Sequence, residues 1–161
     1  MEIRRTRFDD PDAVKLNDLV QLEYVDRYGE GDVTQMEAAH FDPPQGLYLL
    51  VYDADGAAVA SGGWRAREES ADGLADGDAE IKRMFVAPHA RGRGLARKVL
   101  AELEASAAAA GRTRMVLETG VRQPEAIALY KSAGYVSMPK FGIYRHDELS
   151  LCLAKRLPGT A

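Results

Sequence analysis

The sequence predicts a single mixed α/β (α+β) domain, and three observations carry that prediction. Short apolar runs suited to strands alternate with amphipathic stripes suited to helices along the whole chain. Clusters of glycine, proline and aspartate separate the runs, with no long linker and no internal repeat. At 161 residues, 46% hydrophobic and 29% charged, the chain has room for one core.

Each element has its own local reason. Residues 2–7 start strand-like. Asp9, Asp10 and Pro11 then mark a helix start, with an aspartate as cap and the proline in the first turn. Val14, Leu16, Leu19, Val20 and Leu22 give that helix an apolar stripe reaching about Tyr24. Residues 28–45 read as loop, rich in glycine and proline, with room for a short helix at 34–39. Apolar strands at 47–52 and 57–64 flank Asp53-Ala54-Asp55-Gly56, a hairpin signal. The polar stretch 68–78 reads as a mobile surface connection. A strand at 79–86 leads through a short loop to a helix at 95–110, which Gly111 stops. Residues 114–119 form another strand. Gln123-Pro124 opens a helix running to Ser132, Gly134 ends it, and strands near 135–137 and 149–155 complete the pattern.

The loop between the strand at 79–86 and the next helix carries the first chemical signal. It places unpaired backbone N–H groups at a helix N-terminus, where the helix dipole favours negative charge. Gly92 and Gly94 clear side chains from those amides, and Arg91 and Arg93 add positive charge. The stretch reads as a pyrophosphate cradle. A phosphate-binding loop of the NTPase type would need Gly-Lys-Ser/Thr, which is absent. A dinucleotide fold would need a third glycine near Arg97 and a strand–loop–helix unit near the chain start.

Charge is unevenly divided. Residues 1–80 carry 7 Lys and Arg against 19 Asp and Glu, whereas residues 81–161 carry 14 against 6. This is either solvated surface or an acidic half facing a cationic substrate and a basic half facing a phosphorylated ligand. The net charge of −4 argues against a nucleic-acid partner. No apolar run approaches the ~20 residues of a membrane span, and MEIRRTRFDD lacks the apolar segment of a signal peptide. A lone Cys152 excludes an internal disulfide and fits a reducing compartment, so a cytoplasmic location is expected. His40, His89 and His146 lack metal-site spacing, so no metal is expected.

Arg91-Gly92-Arg93-Gly94-Leu95-Ala96 resembles the Arg/Gln-x-x-Gly-x-Gly/Ala signature of the GNAT family of N-acetyltransferases. Downstream, Ala126-Ile127-Ala128-Leu129-Tyr130-Lys131-Ser132-Ala133-Gly134-Tyr135 is similar to that family's A-x-x-L-Y-x-x-x-G-F/Y segment. The resemblance spans about residues 47–155. It implies a mostly antiparallel, twisted sheet flanked by helices, with the fourth and fifth strands splayed. Acetyl-CoA would enter the gap and coenzyme A would leave as product. The resemblance assigns main-chain pantetheine contacts to Met84, Phe85 and Val86, and the pyrophosphate cradle to Arg91, Gly92, Arg93, Gly94, Leu95 and Ala96. Gln123 stands where many relatives carry an Asn that caps the helix and meets pantetheine, and Gln is a poor cap.

Acyl transfer from a thioester to an amine needs an unprotonated amine, a donor for the developing oxyanion and a proton for the leaving thiolate. By resemblance Glu80 is the general base and Tyr130 the acid. A bulge would free the Met84 N–H to polarise the carbonyl. Strand alternation puts Glu80, Lys82 and Met84 on one face unless a bulge intervenes. Glu80 reads equally as a strand-edge carboxylate or as an ion-pair partner of Lys82 or Arg83. Glu118 would orient substrate, act as a second carboxylate, or simply be salt-bridged. Trp64 either walls the acceptor pocket or packs. Glu23, Asp26, Glu30 and Asp32 would attract a cationic amine, with Tyr24 and Tyr28 against its apolar body. The implied function is an acetyl-CoA-dependent N-acetyltransferase acting on a primary amine by direct transfer in a ternary complex. Family habit adds a homodimer. The alternative is a non-catalytic acyl-CoA-binding regulatory module, which would keep the cradle and need neither Glu80 nor Tyr130.

Overall fold

The computed structural model describes residues 1–159; residues 160 and 161 of the expected single domain lie outside the described residues. The order of elements is β1 (Glu2–Thr6), α1 (Pro11–Tyr28), β2 (Gly46–Tyr52), β3 (Ala58–Arg67), β4 (Asp78–Val86), α2 (Leu95–Ala109), β5 (Arg114–Gly120), α3 (Pro124–Ser132), β6 (Val136–Ser137) and β7 (Ser150–Arg156). The seven strands make one sheet in the order β1-β2-β3-β4-β5-β7-β6. Every neighbouring pair is antiparallel except β4 and β5.

Asp10 caps α1 by accepting from the Asp12 N–H, as the Asp-Pro signal predicts, but the helix runs a turn past Tyr24 to Tyr28. The short helix expected at 34–39 is instead a 3-10 turn at Ala38–Phe41. The connection expected to be mobile after β3 is anchored. Its one large apolar residue, Leu74, is buried against Phe141 and Cys152. Burial pushes the Cys152 thiol up to about 11, in keeping with a small packing residue.

Both faces of the sheet are covered. On one face α2 packs Val99, Leu100 and Leu103 against Leu49, Trp64, Ile81, Met115, Leu117 and Leu153. On the other, α1 packs Ala13, Leu16 and Val20 against Tyr48, Leu50 and Phe85. Strand residues therefore divide by parity between the two faces, with Val116, Cys152 and Ala154 in a third cluster beside Leu74 and Phe141.

Two features of β4 open that space. Pairing with β5 runs only from Asp78↔Arg114 to Ile81↔Leu117, after which β4 continues along β3 and β5 along β7. The paired end is held by Arg114, whose Nε and Nη2 each donate to the buried Asp78 carboxylate at 2.8 Å. The second feature is a bulge. Gly63 pairs with Lys82 and Ser61 with Phe85, so Arg83 and Met84 together oppose a single β3 residue. Arg83 takes φ +60°, a left-handed conformation that costs a non-glycine residue about 1–2 kcal/mol. Beyond the bulge the alternation inverts, so Met84 joins Ile81 in the α2-side core and Phe85 joins the α1-side core. Glu80, Lys82 and Met84 accordingly do not share a face.

Candidate active site

A cavity of about 510 Å³ fills the gap between β4 and β5. Its walls include Met84, Phe85 and Val86, then Arg91, Gly92, Gly94, Leu95 and Ala96, and on the far side Gln123 and Tyr130. Of the residues assigned to the cradle only Arg93 is absent from the wall, and it is exposed. Gly92 and Gly94 sit at φ +82° and +75°, which L side chains rarely adopt, and a Cβ on either would meet no atom within 4 Å. The loop is thus a concave, open rim with Gly94 at the cap of α2. These residues suit a pyrophosphate-bearing ligand.

Arg91 is folded back in this structure. Its Nε donates to the Val86 carbonyl at 2.8 Å, its guanidinium lies 5.8 Å from the Phe85 ring centroid, and Nη2 pairs with Glu23. Glu23 therefore stands at the mouth of the larger cavity. Gln123 precedes α3 without a side-chain cap, as its chemistry predicts. Its Nε2 donates to the Tyr28 hydroxyl at 3.3 Å.

Tyr130 is buried, and its ring meets Tyr135 edge-on at 5.6 Å. Burial, with Tyr24 close by, pushes the phenol above its ordinary value, so it carries its proton at neutral pH. Among the described residues its hydroxyl has no hydrogen-bond partner, and it borders the cavity.

Across the gap lies a smaller cavity of about 130 Å³, lined by Tyr24, Tyr28 and Tyr144 with Glu118, Lys82 and Ser150. Gly120 makes room for Tyr28, since a Cβ there would fall on the Tyr28 hydroxyl. The backbone N–H of Arg122 also donates to that hydroxyl at 3.3 Å. Arg27 and Arg122 each donate to the other's carbonyl, at 3.2 and 2.8 Å. The end of α1 is thereby fastened across the opening. Burial lifts the Tyr24 phenol to about 12.

Glu118 is the first β5 residue past the last pairing with β4, and it lines both cavities and a third of about 410 Å³. Burial raises its carboxyl to about 7, against the opposing pull of Lys82. Glu80 sits deeper. Its Oε1 accepts from Arg65 Nε at 3.0 Å and Arg67 Nη1 at 2.7 Å, and it borders only the third cavity. Its ion-pair partners are these β3 arginines and not Lys82 or Arg83. Those two cations converge on Asp32 Oδ2, at 3.2 and 3.6 Å. Burial opposes ionisation of Asp32, but Lys82, the Thr34 hydroxyl and amide, and Arg83 outweigh it and hold the carboxyl at about 2. Of the four acids in the segment 23–32, Glu23 and Asp32 are thus ion-paired, and Asp26 and Glu30 are exposed. Trp64 is a core residue: it is 1% exposed, and its indole N–H donates to Ser106 Oγ at 3.2 Å. It lines none of the three cavities.

The structure thus gathers Tyr130, Met84–Val86 and the glycine loop around one cavity, and Tyr24, Tyr28 and Glu118 around its neighbour. Tyr144 and Ser150 carry no local signal in the sequence, nor do Lys82 and Arg83 as partners of Asp32.

Comparison with known proteins agrees with this architecture. The model of the acetyltransferase (GNAT) family matches residues 13–135. The chain belongs to that family and is an N-acetyltransferase. It is 39% identical over 145 residues to an IAA acetyltransferase of Azospirillum brasilense, covering 86% of this chain and 90% of that one. A solved structure of a candidate acyl-CoA N-acyltransferase from Klebsiella pneumoniae is 30% identical, with a TM-score of 0.78 over 97% of both chains. An IAA acetyltransferase from Bacillus cereus shares the fold at 19% identity, with a TM-score of 0.66 over 97% of this chain and 99% of that one.

Proposed function

We propose that the protein transfers an acetyl group from acetyl-CoA to a primary amine directly, with both substrates bound, and that Glu118 takes the base role the sequence resemblance gives to Glu80. The observation that carries the proposal is the position of Glu118 where the ligand gap and the tyrosine-lined pocket meet, with its carboxyl near 7. Acetyl-CoA, when bound, supplies a thioester carbonyl open to attack by a free amine. Met84, Phe85 and Val86 line its path with main chain, and Arg91 to Ala96 receive the pyrophosphate. Met84 lies in the bulge without a register partner on β3 or β5, and its N–H is the donor assigned to the carbonyl oxygen.

Glu118, ionised, accepts a proton from the acceptor's ammonium and releases a nucleophilic amine into the gap. Tyr130, on the opposite side, holds a proton at its hydroxyl for the departing sulfur. The first proton passes from Glu118 to solvent, and the second, lost by the attacking nitrogen as the C–N bond forms, replaces through solvent the one Tyr130 gives to sulfur, so one C–N bond forms, one C–S bond breaks and one proton is released overall. Glu80 holds Arg65 and Arg67 in place. Thiol release from acetyl-CoA, measured across an amine panel with mass analysis of product, tests the activity. Glu118→Gln and Glu80→Gln, compared in the same assay, test the base. Loss of the rising pH limb in Glu80→Gln alone would return that role to Glu80.

A further inference from the structure

Where the ligand cavity meets the tyrosine-lined pocket there is an unbalanced buried charge, with Lys82 lining both spaces and Arg83 lining the ligand cavity. Lys82 and Arg83 have side chains only 10% and 5% exposed, and both rely on the single carboxylate of Asp32. Both lie against its Oδ2, while Oδ1 is taken up by the Thr34 amide at 2.9 Å and hydroxyl at 2.6 Å. At 3.6 Å the Arg83–Asp32 pair lies beyond hydrogen-bond reach, and Arg83 Nε is buried with no partner. A buried guanidinium left short of acceptors costs about 1–3 kcal/mol or more. The backbone beneath it is also strained. Both costs fall on one residue that lines the ligand cavity.

We propose that the acceptor is a zwitterion of amino-acid type, whose ammonium meets Glu118 while its carboxylate is taken by Arg83 and Lys82. The inference rests on the acetyltransferase reading above and narrows its acceptor. Charge balance favours it. Lys82, Arg83 and Asp32 together carry one positive charge, which ionised Glu118 cancels. A simple ammonium would leave the buried site positive again, whereas a zwitterion leaves it neutral before and after the proton moves to Glu118. The other acids of the pocket, Glu30 and Asp147, are on its exposed rim, where solvent screens them. Tyr24, Tyr28 and Tyr144 then face the side chain of the acceptor, which favours an apolar or aromatic one.

The test compares matched pairs that differ only in the carboxylate: phenylalanine with phenethylamine, tyrosine with tyramine, lysine with cadaverine. A polyamine, an aminoglycoside and a lysine-containing peptide complete the panel. The expected result is a kcat/KM for the amino acid about 10- to 100-fold above that of its decarboxylated partner, the range of a charged hydrogen bond. Arg83→Gly suits the left-handed backbone and so folds, as circular dichroism and melting would verify. It should bring the paired ratio toward one through KM, and Arg83→Lys should restore part of it. Equal or better turnover of the decarboxylated amines would overturn the zwitterion while leaving the acetyltransferase reading intact. An equal fall in kcat for every acceptor in Arg83→Gly would also overturn it. A preference for succinyl-CoA over acetyl-CoA that Arg83→Gly abolishes would move the carboxylate to the donor. No product from any member of the panel would overturn both readings.

Discussion

At the scale of single residues, Glu118 and Tyr130 are matched opposites. One is a carboxyl raised into the physiological range by burial, the other a phenol kept protonated by burial. A base works ionised, so kcat/KM should rise with pH through about 7, and Glu118→Gln should lose that limb in a pH–rate profile. The same shift acts on stability. Because the folded carboxyl lies above its unfolded value of 4.5, the native state binds the extra proton between 4.5 and about 7, and stability falls as pH rises through that window. Glu118→Gln should therefore melt higher than the parent above pH 7, by roughly 1–3 kcal/mol after allowing for partial exposure, and the gain should vanish toward pH 4. Tyr130→Phe should slow turnover by about 100-fold or more while coenzyme A binding, followed by calorimetry, barely changes. Comparable losses in both would make Tyr130 a packing residue.

Among elements, the site depends on how β4 is held. Its lower half is fastened to β5 by Arg114 on Asp78, and its upper half is released by the bulge at Arg83 and Met84. Asp78→Asn leaves a partly buried guanidinium short of its charge partner and should cost about 2–3 kcal/mol in urea unfolding. A change within error would show that the strands need no such clasp. The end of α1 closes the other side, and Gly120 is its seat. Gly120→Ala places a methyl where the Tyr28 hydroxyl lies, so it should cost about 1–3 kcal/mol and raise KM for the amine more than for the coenzyme. An unchanged KM for the amine would remove Tyr28 from the acceptor pocket.

For the whole molecule, the sheet is a partition. Tyr130 belongs to the core on the α2 side, Glu118 and Lys82 face the α1 side, and the two sides communicate where β4 and β5 part. The chain's acidic and basic halves do not map onto an anionic pocket and a cationic one. Glu23 pairs with Arg91 and Asp32 with Lys82, so the halves neutralise each other across the fold. Ligand binding should be visible globally. Coenzyme A at about 100 times its Kd should stabilise the fold by about 2.7 kcal/mol, read as a rise in melting temperature. A flat melting temperature would remove the coenzyme from the gap.

Local signals made much of this legible. Alternation, the Asp-Pro helix start and the Asp-Gly hairpin located most elements to within a few residues, because each depends on neighbours in the chain. The glycine loop was legible for the same reason, since a helix N-terminus with φ-positive glycines needs no distant partner. What escaped was pairing at long range. The sequence resemblance pointed to Glu80 as base, but Arg65 and Arg67 reach it from β3, while Glu118 takes the junction because β5 stops pairing one residue earlier. The bulge that turns Met84 away and buries Arg83 beside Asp32 is likewise a property of register between strands. By itself the sequence determined the order of elements, the family and the ligand loop, all carried by short-range chemistry. Only the tertiary structure decided which carboxylates are neutralised and which stand free, because charge partners far apart in the chain meet only when the sheet is assembled.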